Sequence, residues 1–197
     1  MHGLINRAIQ SFVCDTYGRA RWRDVTRKAD LEFTEFEAML QYDDALTEAV
    51  LTASEQVLGV PRETVLEDIG TYLVSHPNVE ALRRLLRFGG ETFVEFLHSL
   101  DELPDRARLA VDDLHLPQME LQEHSYSCFS LVCTYPKPGF GHVMMGVLRT
   151  LADDYGALVF LEYREQNPGR GAEIVDVTLF ESAFAEGRSF ELGAAAG

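Results

Sequence analysis

Basic residues are scarce in this chain: 17 Lys and Arg stand against 32 Asp and Glu, for a net charge of −15 and a pI near 4.7. A nucleic-acid or anionic-membrane partner needs a basic footprint that displaces counterions, so the balance argues against both. Cysteine is sparse too. Cys14, Cys128 and Cys133 make an odd set with no CxxC pair, which excludes a zinc ribbon and a thioredoxin motif. Free thiols fit a reducing compartment, and a cytoplasmic location is expected. No stretch approaches the roughly 18 consecutive apolar residues of a membrane span. Met1 is followed by neither a basic segment nor an apolar core, so no secretory signal is expected. GxSxG, HExxH, P-loop and GxGxxG patterns are all missing. The paired carboxylates Asp43-Asp44, Asp112-Asp113 and Asp153-Asp154 are of the kind that caps helices or faces water. The chain reads as a non-enzyme.

What is present suffices for one substantial core: 46% of the 197 residues are hydrophobic and 25% charged. Apolar residues recur at helical spacing through Leu4, Ile5, Ala8, Ile9, Phe12 and Val13, ending at Tyr17-Gly18. A short segment around Trp22 and Val25 and a polar loop follow. Asp43-Asp44 offers an N-cap to a helix over 45–58. Further helices are predicted over 62–74 and 79–88, separated by Pro77-Asn78.

Phe93 to Gly146 organises the rest. Phe93, Phe96, Leu97, Leu100 and Leu103 form one apolar wall of a helix, which Pro104 is expected to stop. A polar connector leads to a Cys- and Val-rich strand over 126–135, and PKPG (136–139) turns into an apolar helix beginning near Phe140. LVFLEY (158–163) and IVDVTLF (174–180) read as strands joined by the turn-rich QNPGRG, forming one antiparallel sheet with the earlier strand. The fold class is α+β, a helical N-terminal half against a small antiparallel sheet with one long helix. Residues 183–197, small and Gly/Ala-rich, are expected to fray.

FLHSLDELP, the later YPKPGFG turn with its apolar helix, MHGLINRAIQSFV at the start, YG with Trp22 close behind, YDD at Tyr42 to Asp44 and VLGVPRETVLEDIG together resemble the H-NOX domain. That is the heme nitric oxide/oxygen binding domain found at the front of soluble guanylate cyclase. The likeness covers residues 1–180 or so, and a single domain over 1–182 is expected. It implies heme b, gas sensing of nitric oxide or oxygen, and a bacterial signalling partner such as a histidine kinase or a cyclic-nucleotide or cyclic-di-GMP enzyme.

The resemblance also assigns positions. The proximal histidine of the family follows FLxxLDxL, where this chain has Pro104, which cannot ligate iron. The Tyr-x-Ser-x-Arg motif that holds the heme propionates falls on Cys133, Tyr135 and Lys137. Lysine keeps a charge there but lacks the bidentate fork of arginine. Pro117 matches the proline that presses on the porphyrin, and Val143 falls near the distal position over the iron. His2 and His142 are the substitute-ligand candidates, with the Cys133 thiolate a third. His98, His115 and His124 read as solvent-facing. The expected function is a stand-alone sensory or regulatory module, either a gas sensor with a non-standard ligand or a heme-free module for an apolar ligand or a protein partner.

Overall fold

The computed structural model describes residues 1–165 and 171–187, and it divides into two compact units, Met1–Ile69 and Gly70–Gly197. In the first unit, helix α1 (Gly3–Tyr17) is capped by His2, whose ring accepts a hydrogen bond from the Leu4 amide. Helix α2 (Arg19–Lys28) stands where the sequence suggests only a short segment. Its apolar stripe is reduced to Trp22, Val25 and Thr26, while Arg19, Arg21, Arg23, Arg27 and Lys28 are exposed. Those three residues at i, i+3 and i+4 are enough to anchor it, because Trp22 is 3% exposed and Val25 is fully buried. The loop after α2 then wraps an aromatic group, with Phe36 edge-on to Phe33 and Tyr42. Helix α3 (Asp44–Leu58) is N-capped by Asp43.

Helix α4 (Arg62–Ser75) runs across the division between the units. The second unit continues with α5 (Glu80–Arg87) and α6 (Phe93–His98), the latter opened by a reciprocal Thr92–Glu95 capping box. A 3-10 turn (Ser99–Glu102) then leads into α7 (Leu103–Ala110). Here the sequence expectation is corrected. Pro104 does not stop a helix; it sits in the first turn of α7, where the missing N–H has no acceptor to lose and the fixed φ suits the helix. The break in the apolar wall is made one turn earlier, by the 3-10 segment. Strand β1 (Gln118–Ser125) follows, where Met119 and Leu121 alternate with polar neighbours as strand residues do.

Strands β2 (Cys128–Thr134), β3 (Leu158–Glu165) and β4 (Ala172–Glu181) complete a four-stranded antiparallel sheet in the order β1-β2-β4-β3. The QNPGR turn between β3 and β4 lies outside the described residues, as do residues 188–197. One face of the sheet carries Met119, Phe129, Leu131, Cys133, Val175 and Val177 into the core. Helix α8 (Phe140–Tyr155) lays Met144, Met145, Val147, Leu148 and Leu151 into the same cluster, joined by Phe93, Phe96, Leu97, Leu100 and Leu103. Asp154, 1% exposed on α8, is paired to Arg83 of α5 at 2.6 Å. The architecture is the expected α+β one.

Candidate functional site

The site is built where β2 runs into α8. Alternation along β2 points Phe129, Leu131 and Cys133 inward. Cys133 is 1% exposed, and burial next to the Glu173 carboxylate pushes its thiol up to about 12. Glu173 is its cross-strand partner on β4. A charged side chain on the inward register would be costly if unmet by donors. It is met: one oxygen accepts the Gly139 amide at 2.8 Å and the Tyr163 hydroxyl at 2.7 Å, and the other accepts the Gly141 amide at 3.0 Å.

Those amides belong to the start of α8, where free N–H groups and the helix dipole favour an anion. The chain reaches them through Tyr135, whose amide donates to the Gly171 carbonyl at 2.9 Å, and through the PKPG turn. Gly139 turns at φ +116°, a conformation that L side chains rarely adopt. Gly141 has no room for a methyl group, since a Cβ would lie 2.8 Å from the Tyr163 ring and 3.1 Å from the Glu173 Cβ. The His142 ring lies flat on Tyr163, with centroids 4.0 Å apart.

The residues singled out in the sequence are therefore placed as follows. Cys133, Tyr135 and Lys137 follow one another from the end of β2 into the turn, with Cys133 buried and the other two half-buried. His142 and Val143 stand in the first turn of α8, half-buried. The backbone of Val143 closely faces α4, since a Cβ on Gly70 would come within 2.0 Å of its carbonyl oxygen. Pro104 is buried in α7, and Pro117 is buried just before β1. His2 belongs to the other unit, 3% exposed. Its Nδ1 accepts from Leu4, which leaves the proton of the neutral ring on Nε2.

Glu173 and Tyr163 were not singled out from the sequence. A signal was available: Glu173 falls in phase with Val175 and Val177 on the core face of β4, and an acid in that phase calls for donors. A second polar group also went unnoticed, on the opposite face of the sheet. Ser130 donates to Asp176 at 2.6 Å and receives His124 Nε2 at 2.7 Å, while Arg164 forks onto Asp176 and holds its carboxyl below the usual carboxylate range. Serine, histidine and aspartate are present, but serine is the bridge. Its proton goes to the carboxylate, so the histidine does not act as its base, and the group ties strands together instead of activating a nucleophile. No cluster of three or more His, Cys, Asp or Glu side chains suited to a metal ion occurs among the described residues.

The family model for haem-NO-binding domains, HNOB, matches residues 2–162. The chain belongs to the haem-NO-binding family. Among curated relatives it is similar to soluble guanylate cyclase gcy-31 of Caenorhabditis elegans, 25% identical over 154 residues, covering 78% of this chain and 22% of that protein. Soluble guanylate cyclase 89Db of Drosophila melanogaster is 20% identical over 163 residues, covering 83% of this chain and 24% of that protein. The chain thus spans about a quarter of the length of these relatives. Its fold is that of solved H-NOX proteins. The unliganded Fe(II) H-NOX protein from K. algicida superimposes with a TM-score of 0.80 at 14% identity, covering 94% of this chain and 100% of that one. A variant of the T. tengcongensis H-NOX matches at a TM-score of 0.76 and 13% identity, over 93% and 100% of the two chains.

The haem-NO-binding fold raises the question whether these residues suit a heme. An axial ligand needs a donor atom with a free lone pair, most often an imidazole nitrogen or a thiolate. Pro104 has none, the His2 ring spends its Nδ1 on the α1 cap, the Cys133 sulfur is packed into the core, and the His142 ring is stacked flat on Tyr163. The inward carboxylate of Glu173 adds a negative charge beside Cys133, one of the three positions that the sequence resemblance assigns to the propionate-binding motif, where an anionic group would be repelled. The residues present do not fit the cofactor.

Among the described residues, no helix is long and apolar enough to cross a membrane.

Proposed function

We propose that this haem-NO-binding domain is a regulatory module that works without heme, by contact with a signalling protein. The observation that carries the reading is Pro104. Buried in the opening turn of α7, it stands at the position that the family's motif assigns to the iron ligand and offers iron no donor atom. The positions of the propionate motif support the same reading, since Cys133 is packed into the core instead of presenting a polar donor. Residues 1–182 form the domain, and it acts in the cytoplasm. The relatives named as guanylate cyclases suggest the partner's class, a nucleotide cyclase or another signalling enzyme such as a histidine kinase. The module contributes binding and not catalysis.

Titration of the purified protein with hemin, before and after reduction and exposure to nitric oxide, tests the proposal. The expected result is no saturable 1:1 change in the Soret region and no nitrosyl spectrum. Stoichiometric uptake would restore a gas sensor with a substitute ligand. His2→Ala, His142→Ala and Cys133→Ala would then show which of the three supplies it.

A further inference from the structure

We infer that helix α2 (Arg19–Lys28) is a docking surface for an acidic helix of a partner protein. The inference rests on the reading of the domain as a contact module, and it names the surface and the chemistry recognised there. In a chain of net charge −15, five of the 17 basic residues and one of the 32 acids fall in these ten positions. Arg19, Arg23 and Arg27 are four apart, so they share one row, about 12 Å long at the helical rise. All three are exposed, as are Arg21 and Lys28 farther round the helix. A merely solvated face needs no such arrangement and is weakened by it. Like charges at i, i+4 repel, and the row contains two such pairs. Arg19 and Arg21 stand in the first turn, where the helix dipole disfavours a cation and no acid is present. The chain's own acids meet the face only loosely. Arg19 reaches Glu35 at 3.8 Å and Arg27 reaches Asp24 at 3.4 Å, with the two arginines still 82% and 79% exposed. Arg21, Arg23 and Lys28 make no ion pair among the described residues.

The helix is nevertheless held firmly. Trp22 is buried and donates its indole N–H to the Thr34 carbonyl at 2.7 Å, and Val25 and Thr26 are buried with it. The arginine row therefore stands on a fixed support, which lowers the ordering cost of binding. The same anchoring selects among anionic partners. Single-stranded nucleic acid is gripped by aromatic rings that stack on its bases, and the one aromatic residue of α2 is turned inward. A membrane takes an amphipathic helix by its apolar face, and here that face is already covered. Both are extended anionic surfaces, which the acidic remainder of the chain would repel. A protein helix with carboxylates four apart presents a single row of matching pitch, and each guanidinium can fork onto a carboxylate.

Fluorescence anisotropy tests this, with the full chain titrated into a labelled alanine-rich helical peptide that carries Glu at every fourth position. A second peptide of the same composition scatters its Glu residues round the helix. At about 50 mM salt the first peptide is expected to bind saturably, at least about fivefold more tightly than the second. Raising the salt to about 0.3 M is expected to weaken it at least about fivefold, as screening of exposed charges requires. Arg23→Glu, at the centre of the row, is expected to weaken binding at least about tenfold. That variant is expected to melt within about 3 °C of the parent, because the exposed side chain supports nothing in the fold. Arg108→Glu, which reverses an exposed arginine of α7, is expected to bind as the parent does. The absence of saturable binding, equal affinity for the two peptides, or binding that survives Arg23→Glu overturns the proposal. So does an equal loss with Arg108→Glu, or tighter binding at the same salt to oligo-dT or to phosphatidylserine vesicles. None of these measurements involves hemin: uptake of hemin would overturn the heme-free reading and leave this surface standing, and failure here would leave that reading standing.

Discussion

Gly141→Ala sets two ordinary effects against each other. Alanine is the better helix former, and at an unconstrained position the change would stabilise by up to about 1 kcal/mol. At this position the added methyl carbon would lie 2.8 Å from Cε2 of Tyr163 and 3.1 Å from the Glu173 Cβ. The ring cannot swing freely, because it is stacked on His142 at 4.0 Å. Overpacking of this kind costs about 1–3 kcal/mol. If the ring is displaced, the hydroxyl also gives up its bond to the carboxylate, a charge-assisted contact worth about 1.5–3 kcal/mol. Sterics and the lost bond outweigh propensity, and the net expectation is a destabilisation of about 2–3 kcal/mol. For a chain of this size that is a fall of about 4–12 °C in melting temperature. Thermal unfolding followed by circular dichroism at 222 nm measures it, with urea unfolding as the isothermal check. A Gly141→Ala protein as stable as the parent, or more so, would refute the account of the α8 start given above.

Three further outcomes are expected. Pro104→His supplies an imidazole at the motif position, yet it should not take up hemin stoichiometrically, because Cys133, Tyr135 and Lys137 still stand where the sequence resemblance puts the propionate motif; a tight 1:1 Soret titration would show that the ligand alone suffices. The same change should lower stability by more than the about 0.4–1 kcal/mol of the freer unfolded chain, because it also buries an imidazole where Pro104 is buried, and calorimetry would detect the loss. Cys133 gives the pH dependence. Its folded pKa of about 12 exceeds the unfolded value of about 8.5. Below the unfolded value both states are protonated and the thiol costs nothing. As pH rises past about 9 only the unfolded chain ionises, so stability drains by about 1.4 kcal/mol per pH unit toward pH 12. Cys133→Ala should flatten the alkaline slope by that amount relative to the parent. Equal slopes between pH 9 and 11 would contradict the burial argument.

Most of the fold was legible because it is carried by long apolar periodicities. The stripe from Leu4 to Val13, the wall from Phe93 to Leu103 and the alternation through LVFLEY and IVDVTLF correspond to α1, the α6–α7 segment and β3–β4. The family resemblance rested on the same stretches. Two local readings failed for identifiable reasons. Helix α2 is so rich in arginine that three buried residues could not stand out against the charge. Pro104 was read as a terminator because proline both ends and begins helices, and which it does depends on whether its N–H position is already free of an acceptor. The site was less legible. Cys133, Tyr135 and Lys137 could be located by counting, but what they face depends on Glu173, 40 residues beyond Cys133. Such a pairing comes from strand register, and no local pattern in the β2–α8 segment announces it.

The sheet order has a consequence for how the chain is made. Strand β4 lies between β2 and β3, so β3 leaves the ribosome before the strand it pairs with among the described residues exists. Until β4 inserts, β2 and β3 each present a raw edge, and the first turn of α8 lacks the acceptor for its amides, which arrives 32–34 residues later. One late segment therefore closes the sheet and caps the helix in a single event. A nascent chain stalled before Ala172 would expose two adhesive edges and a helix end together, and would be a substrate for chaperones until synthesis resumes.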